Sequence, residues 1–242
     1  MARILITGST DGLGKLAAEK LIHQGHQVVL HARNSERAKE VTEQVKGAKS
    51  VLTADLAQLE EVKNLAIEAN SLGKFDSIIH NAGVLHADSK TIFKVNVLAP
   101  FVLSALIEKP KRLVYLSSGM HFGGTPISKL EDIGKINYSY SKLLITTLMK
   151  AIARLFPDTH SNAVDPGWVP TKMGGKNAPD DLQKGIETQI CLATSEEKAA
   201  NVSGLYFRHQ KSLPPHQAVL DEDFQNRLIR LCEEISGVSL IH

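Results

Sequence analysis

Short apolar runs alternate along the chain with longer segments of helical period. The runs are rich in β-branched residues, and the segments between them repeat apolar residues every three to four positions. This alternation is typical of βαβ units, so we predict an α/β fold with a doubly wound parallel sheet of about seven strands flanked by helices. The predicted strands are Arg3–Thr7, Gln27–His31, Ser50–Leu52, Ser77–His80, Arg112–Leu116, Asn162–Val164 and Leu205–Phe207, and the clearest helices are Leu13–Gln24 and Leu59–Ser71.

No Pro- or Gly-rich linker, internal repeat or low-complexity tract interrupts this pattern. We therefore expect one domain over residues 1–242. Two segments are rich in loop-forming residues, 119–135 and 171–189, and the second opens on a stretch of Gly, Lys, Asn and Pro. We expect these two loops to form the substrate side of any site.

The composition excludes several classes of partner. Lys and Arg number 28 against 26 Asp and Glu, and the basic residues are scattered, so no nucleic-acid partner is expected. The two cysteines, Cys191 and Cys232, lack metal-ligand spacing, which predicts neither a metal site nor a disulfide. The apolar run at the N-terminus is too short for a signal peptide or a membrane span, so a cytoplasmic location is expected.

A glycine-rich turn, TGSTDGLG at Thr7–Gly14, follows the first predicted strand. Its glycines permit a tight turn, close approach of backbone N–H groups to a phosphate, and close packing of helix on sheet. The N-terminus of the next helix adds a positive dipole end. Gly, Ser, Thr and Asp also form ordinary loops, but the position between a strand and a helix favours a dinucleotide-binding turn.

The end of the second predicted strand bears on which dinucleotide is preferred. A site for NAD(H) usually places an acidic residue there, for the ribose hydroxyls. Here the strand runs into Ala32-Arg33-Asn34, with no acid. Because a guanidinium pairs well with a 2′-phosphate, we expect NADP(H) to be favoured over NAD(H), with a solvated surface arginine as the alternative.

A tyrosine and a lysine four residues apart open a predicted helix that continues to Leu155. The spacing stacks Tyr138 and Lys142 on one face, where a nearby ammonium would lower the phenol pKa and make Tyr138 a usable acid and base. Tyr140 fails the same test, because Leu144 stands four residues beyond it. The spacing alone is common and also describes a packed aromatic beside a solvated lysine.

Serine residues end the strand Arg112–Leu116, at the sheet edge where doubly wound folds bind ligands. With these landmarks in order, the chain resembles the short-chain dehydrogenase/reductase family over essentially its whole length. The matching landmarks are Thr7–Gly14, Asp55-Leu56, Asn81-Ala82-Gly83, Asn96, Ser118, Tyr138 with Lys142, and Pro166-Gly167. The resemblance implies a Rossmann fold and an enzyme that interconverts a carbonyl and an alcohol.

The resemblance also implies roles for individual residues. The implied catalytic set is Ser118 to polarise the carbonyl, Tyr138 to donate or accept the proton, Lys142 to tune Tyr138 and hold the nicotinamide ribose, and Asn96 to anchor a water that relays protons from Lys142. The residues expected to bind the cofactor are Gly8, Ser9, Thr10, Asp11, Gly12, Leu13, Gly14, Arg33, Asn34, Asp55, Leu56, Asn81, Ala82, Gly83, Tyr138, Lys142, Pro166, Gly167, Val169 and Thr171.

Some features depart from the usual family pattern. The segment between Gly83 and Asn96 is short, which leaves a homodimer or a monomer open. The longer segment between Ser118 and Tyr138 is similar to the branch of retinol dehydrogenases and WW-domain oxidoreductases, which favours a lipophilic or bulky substrate. We expect His121 in that segment to be a pocket wall or a solvated residue and assign it no catalytic role. Trp168 is expected either to line the pocket or to pack the base of its loop.

Two other functions compete with an NADP(H)-dependent oxidoreductase for a small molecule. A non-catalytic dinucleotide-binding redox sensor would not need the set of Asn96, Ser118, Tyr138 and Lys142. A related epimerase or dehydratase usually has differently spaced glycines and a longer C-terminal substrate region than 242 residues leave room for.

Overall fold

Eight strands form one sheet in the part of the chain that the computed structural model describes, residues 1–125 and 133–240. The strands are β1 Arg3–Ile6, β2 Gln27–Ala32, β3 Ser50–Thr53, β4 Ser77–His80, β5 Arg112–Leu116, β6 His160–Asp165, β7 Tyr206–Arg208 and β8 Lys211–Leu213. They lie in the order β3-β2-β1-β4-β5-β6-β7-β8, and all neighbouring pairs are parallel except β7 with β8. The predicted α/β class and the mostly parallel sheet are confirmed.

Helices cover both faces of the sheet. They are α1 Gly12–His23, α2 Ser35–Gln44, α3 Leu59–Ser71, α4 Ser89–Phe93, α5 Ala99–Leu106, α6 Tyr138–Leu155, α7 Leu182–Thr194 and α8 Glu222–Ser236. Each face of the sheet packs in its own apolar cluster. Helices α1, α2 and α7 contribute to one cluster, and α3, α5, α6 and α8 contribute to the other. Strands β2 and β4 lie on opposite sides of β1, so the order of the strands reverses there. A crevice opens at the carboxyl ends of the strands at this point.

The eighth strand was not predicted from the sequence. All three of its residues are exposed, so no apolar period marks it. The turn that joins it to β7 places His209 and Gln210 in the left-handed region, at φ of 48° and 62°. Turns of this kind are usually recognised in a sequence by Asn or Gly, and neither residue type occurs at these two positions.

The predicted substrate loops need correction at their bounds. The second loop ends at Asp181, which caps α7 by accepting a hydrogen bond from the Lys184 N–H, so residues 182–189 are helix rather than loop. In the first loop, short 3₁₀ turns occupy Gly119–Gly123 and Ile133–Lys135. The middle of that loop, residues 126–132, lies outside the described residues.

One helical run, Ser89–Leu106, joins α4 to α5 through a π-helical segment, Lys94–Leu98, that contains Asn96. By length and composition this run is the one candidate membrane span among the described residues. It is 72% buried inside the protein, as a core helix is. Within the described residues there is also no group of three or more His, Cys, Asp or Glu side chains that could hold a metal ion.

Three buried polar side chains, His80, Ser104 and Tyr115, contact one another in the core at α5. The Ser104 hydroxyl lies 3.1 Å from His80 Nε2 and 2.8 Å from the Tyr115 hydroxyl, and the His80 ring stacks on Tyr115 with centroids 4.7 Å apart. Burial lowers the pKa of His80 to about 3, so this histidine is neutral in the folded protein. A neutral buried histidine makes stability depend on pH. Between its lowered pKa and the ordinary histidine value, the histidine binds a proton in the unfolded chain but not in the folded protein.

We predict that the free energy of unfolding falls as the pH drops below 6.5, the ordinary histidine value, and that His80 contributes up to about 1.4 kcal/mol per pH unit toward pH 3. The variant His80→Asn lacks this titration, so its stability should depend less steeply on pH. Urea unfolding of both proteins across this range measures the difference. Equal slopes for the two proteins would show that His80 is not buried as a neutral group.

Candidate active site

A cavity of about 990 Å³ opens at the carboxyl ends of the central strands. Its volume suits a cofactor-sized ligand together with a small molecule. Of the residues predicted to form the site, those that line it are Gly8, Thr10, Asp11, Gly12, Leu13, Arg33, Asp55, Leu56, Asn81, Ala82, Gly83, Ser118, Tyr138, Lys142, Pro166, Gly167, Val169 and Thr171. The structure thus brings most of the predicted residues to one place.

The glycine-rich turn has the shape that only glycine permits at two of its positions. Gly8 and Gly12 have φ of 63° and 51°, and a Cβ on Gly8 would lie 2.8 Å from the Ala82 Cα. A Cβ on Gly14 would clash with the Asn81 side-chain nitrogen. The turn is therefore packed directly against the segment that follows β4, and α1 begins at its open end.

Four predicted site residues do not line the cavity. Ser9 is buried behind the turn, where its hydroxyl donates to the Ile6 carbonyl at 2.9 Å and accepts from the His31 N–H at 2.8 Å. Asn34 caps α2 by accepting from the Arg37 N–H at 2.9 Å. Gly14 and Asn96 also stand behind the wall. These four residues pack around the cavity and do not line it in this structure.

His31, which the sequence reasoning missed, lines the cavity and ties two of its walls together. Its Nδ1 accepts from the Gly8 N–H at 3.0 Å, so its Nε2 carries the proton that it donates to the Ala54 carbonyl, also at 3.0 Å. Burial lowers the pKa of His31 to about 4 and keeps the ring neutral. The only signal in the sequence was its place at the end of β2, beside the turn.

Positive side chains gather where β2 ends. Arg33 is exposed and lines the cavity. Arg37, also missed, lies over the turn: its Nη2 is 3.3 Å from the Thr10 hydroxyl and 3.7 Å from an oxygen of Asp11. Lys172 reaches the same carboxylate at 2.6 Å from the opposite loop. Arg37 also pairs with Glu40, so the described residues place three cations and the carboxylates of Asp11 and Glu40 near the glycine-rich turn and the end of β2.

The helix α6 begins where the predicted catalytic pair stands. Asn137 caps it by accepting from the Tyr140 N–H at 2.8 Å, which places Tyr138 in the first turn and Lys142 one turn later. The ammonium nitrogen of Lys142 lies 5.3 Å from the centre of the Tyr138 ring and donates to the Leu116 carbonyl at 2.7 Å. The predicted pair therefore shares a face at the cavity, whereas Tyr140 is buried in the apolar core.

The protonation of this pair differs from the sequence-based expectation. Burial, with a smaller contribution from the Asp165 carboxylate, raises the pKa of Tyr138 to about 12, although the Ser118 side chain acts to lower it. Burial lowers the pKa of Lys142 to about 8, against an opposing effect of Asp165. Desolvation thus outweighs the attraction between ammonium and phenolate that the i, i+4 spacing suggested. At neutral pH the phenol holds its proton.

Asn96 shapes the backbone behind the pair. Its side chain accepts from the Val84 N–H at 2.8 Å and donates to the Val84 carbonyl and to the Ser141 hydroxyl at 3.0 and 2.9 Å. A Cβ on Gly83 would lie 3.5 Å from both the Asn96 oxygen and Lys142 Nζ. Glycine at this position keeps the space between the two side chains open. The predicted proton relay through a water stays a prediction.

Two aromatic residues take roles that the sequence left open. His121 is fully buried and does not line the cavity, so the expectation of a pocket wall or solvated residue is wrong. Its Nε2 accepts from the His216 N–H at 3.0 Å, and its Nδ1 donates to the Ser118 carbonyl at 2.8 Å. Trp168 does both things expected of it: it lines the cavity, and its indole N–H donates to the Gly174 carbonyl at 2.7 Å.

Comparison with known proteins identifies the family of this chain. The family model of short chain dehydrogenases matches residues 2–182. The chain is 41% identical to the short-chain dehydrogenases chry4 of Gibberella zeae, over 260 residues, and chyC of Penicillium rubens, over 259 residues, with 99% of each chain covered. Retinol dehydrogenase 14 of Mus musculus is 28% identical over 287 residues, covering 97% of this chain and 86% of that protein.

Solved structures show the same fold. An uncharacterized protein of Mycobacterium paratuberculosis superposes with a TM-score of 0.83 at 20% identity, over 100% of this chain and 96% of the other. A short chain dehydrogenase of Burkholderia cenocepacia, solved in complex with NADP, gives a TM-score of 0.71 at 20% identity, over 86% of this chain and 95% of that one. The family model and the full-length relatives together establish that this protein belongs to the short-chain dehydrogenase/reductase family of oxidoreductases.

Proposed function

We propose that the protein reduces a carbonyl group on a lipophilic or bulky small molecule with NADPH, and that Tyr138 donates the proton. The observation that carries this proposal is the partly buried Tyr138 phenol, protonated at neutral pH, beside Ser118 and Lys142 at the cavity. A phenol that keeps its proton suits an acid for carbonyl reduction.

The glycine-rich turn fits a dinucleotide. Its left-handed Gly8 and Gly12 carry no side chain to block a phosphate, and the N-terminus of α1 points its positive dipole end into the same space. Arg33 at the end of β2 supports NADP(H) over NAD(H), because its exposed side chain lines the cavity and can pair with a 2′-phosphate. When bound, the nicotinamide supplies the hydride that the carbonyl carbon receives.

The chain's own residues supply the remaining chemistry. Ser118 and Tyr138 offer two hydroxyl groups from adjacent walls, so both can hydrogen-bond one carbonyl oxygen and stabilise the charge that develops on it. Tyr138 then gives its proton to that oxygen as the alcohol forms. Lys142, which is an ammonium at neutral pH, stabilises the phenolate left on Tyr138 until that phenolate takes up a proton from solvent and the cycle closes. Lys142 is buried and Ser118 and Tyr138 are partly buried, so the partial exclusion of water strengthens these interactions.

An apolar rim supports a lipophilic or bulky substrate. Met120, Trp168 and Met173 are each 42–59% exposed, and all three line the cavity near Tyr138. The sulfur of Met173 lies 4.0 Å from the Tyr138 hydroxyl oxygen. Large apolar side chains left open to solvent at a cavity mouth usually contact a ligand. The similarity to retinol dehydrogenases, whose name refers to a lipophilic alcohol, supports the same class.

We predict that Tyr138→Phe lowers turnover by at least about a hundredfold while NADPH binds as in the wild type, because only the transferable proton is lost. Reduction of a panel of aldehydes, ketones and quinones, followed by NADPH consumption, measures turnover, and calorimetry measures binding. Tyr140→Phe is the matched control: it removes a hydroxyl from the core two residues away and should keep its activity. Full activity in Tyr138→Phe rejects the mechanism, and tight NADPH binding without turnover by the wild type would favour a redox sensor.

We predict that Arg33→Ala weakens NADPH binding by about ten- to a hundredfold and leaves NADH binding nearly unchanged, since only NADPH carries the 2′-phosphate. Titration of both cofactors by calorimetry measures the ratio. Lys39→Ala removes the same charge from the exposed surface of α2, away from the cavity, and should change neither affinity. An equal loss for NADPH and NADH in Arg33→Ala would reject the contact with the 2′-phosphate.

A further inference from the structure

A buried carboxylate stands at the cavity, and the reaction described above does not use it. Asp165 is the last residue of β6, is 4% exposed and lines the cavity. One of its oxygens accepts from the Gly167 N–H at 2.9 Å, and the other faces Gly119, where a Cβ would lie 3.1 Å away. A charge is seldom buried this deeply without a close partner or a function.

Among the described residues, the nearest cation neutralises this carboxylate only in part. Arg208, on β7, has its Nε 3.8 Å from Asp165, but its Nη2 makes a shorter contact of 3.2 Å with Asp180, to which it donates a hydrogen bond. The Arg208 side chain is 44% exposed, so solvent screens its charge. Much of the negative charge of Asp165 is therefore left to act inside the protein.

The groups that face this charge include the proposed proton donor and its partner. Asp165 continues the register of β6 beside β5, whose end carries the Leu116 carbonyl that Lys142 binds. The carboxylate raises the pKa values of Tyr138 and Lys142, against burial in the second case. It also faces His121 from the β5–α6 segment and Tyr206 from β7. Among these groups, Tyr138 and Lys142 line the cavity.

We propose that Asp165 is a positioning residue for the reaction, a buried negative charge that keeps Tyr138 and Lys142 protonated, with Arg208 setting how much of that charge they feel. The proposal rests on the proposed function, since it gives Asp165 a role through those two residues. It adds that the site is built to hold its protons and thus to favour reduction over oxidation at neutral pH.

The direction of each effect follows from the sign of the charge. A negative charge stabilises an ammonium and destabilises a phenolate, so its removal lowers the pKa of both groups. The variant Asp165→Asn keeps the shape and removes the charge. Removal of the positive Arg208 exposes the carboxylate more fully and has the opposite effect. A purely structural role for Asp165 would not produce opposite shifts in these two variants.

The first readout is the pH profile of carbonyl reduction. Activity should fall where the site loses its proton, and Asp165→Asn should move this alkaline limb to lower pH by about one pH unit, whereas Arg208→Gln should move it to higher pH. The control is Asp158→Asn. It removes an exposed carboxylate from the turn before β6, at the amino-terminal end of that strand and away from the cavity. Its limb should coincide with that of the wild type.

The second readout needs neither cofactor nor turnover. NMR of protein carrying lysine labelled at Cε follows the titration of each ammonium, and the Lys142 signal is the one absent from Lys142→Met. We expect a midpoint near 8 in the wild type, a lower one in Asp165→Asn and a higher one in Arg208→Gln. An unmoved midpoint in folded Asp165→Asn overturns the proposal; if that variant does not fold, an unmoved or lowered midpoint in Arg208→Gln does so.

The two readouts separate this inference from the proposed function. Shifted Lys142 midpoints in a protein that reduces no carbonyl would reject the proposed function and leave the coupling to Asp165 standing as an electrostatic fact. Carbonyl reduction with alkaline limbs that coincide in wild type, Asp165→Asn and Arg208→Gln would reject the role of Asp165 and leave the proposed function intact.

Discussion

The hydrogen bond from the Lys142 ammonium to the Leu116 carbonyl joins α6 to the carboxyl end of β5 inside the protein. An ammonium is costly to bury, and this one is 4% exposed, so the helix must begin and lie where the nitrogen can reach that carbonyl. Tyr138, one turn earlier, is then held over the cavity, and Ser118 follows the same strand end. The positions of the catalytic candidates thus depend on one buried contact between a helix and a strand.

Neutral polar side chains in the cavity wall and behind it hold the wall in place. His31 links the glycine-rich turn to the end of β3, and Asn81 donates to the carbonyls of Thr7 and Gly8 at 2.9 and 3.0 Å. His121 connects the Ser118 backbone to a segment near the C-terminus. In each case, one side chain joins backbone segments that are distant in sequence, which favours a rigid site before any ligand binds.

Local patterns in the sequence predicted what is local in the structure. The parallel strands, the glycine-rich turn and the Tyr138–Lys142 pair all follow from spacing, and most residues of the predicted site line the cavity. The sequence could not reveal His31 or Asp165, because their importance comes from partners brought close by the fold. It also suggested the wrong direction for the pKa of Tyr138, since spacing shows a neighbouring charge but not the loss of water around the phenol. The strand β8 was missed because its residues are exposed.

The central claim is that the site holds its protons at neutral pH and therefore works as a reductase. The most direct measurement is the turnover of the wild-type protein in both directions, with one carbonyl and its alcohol, from mildly acidic to strongly alkaline pH. We predict that reduction is steady through neutral pH and falls only on the alkaline side, while oxidation rises as reduction falls. Reduction that speeds up as the pH rises through neutrality would contradict it.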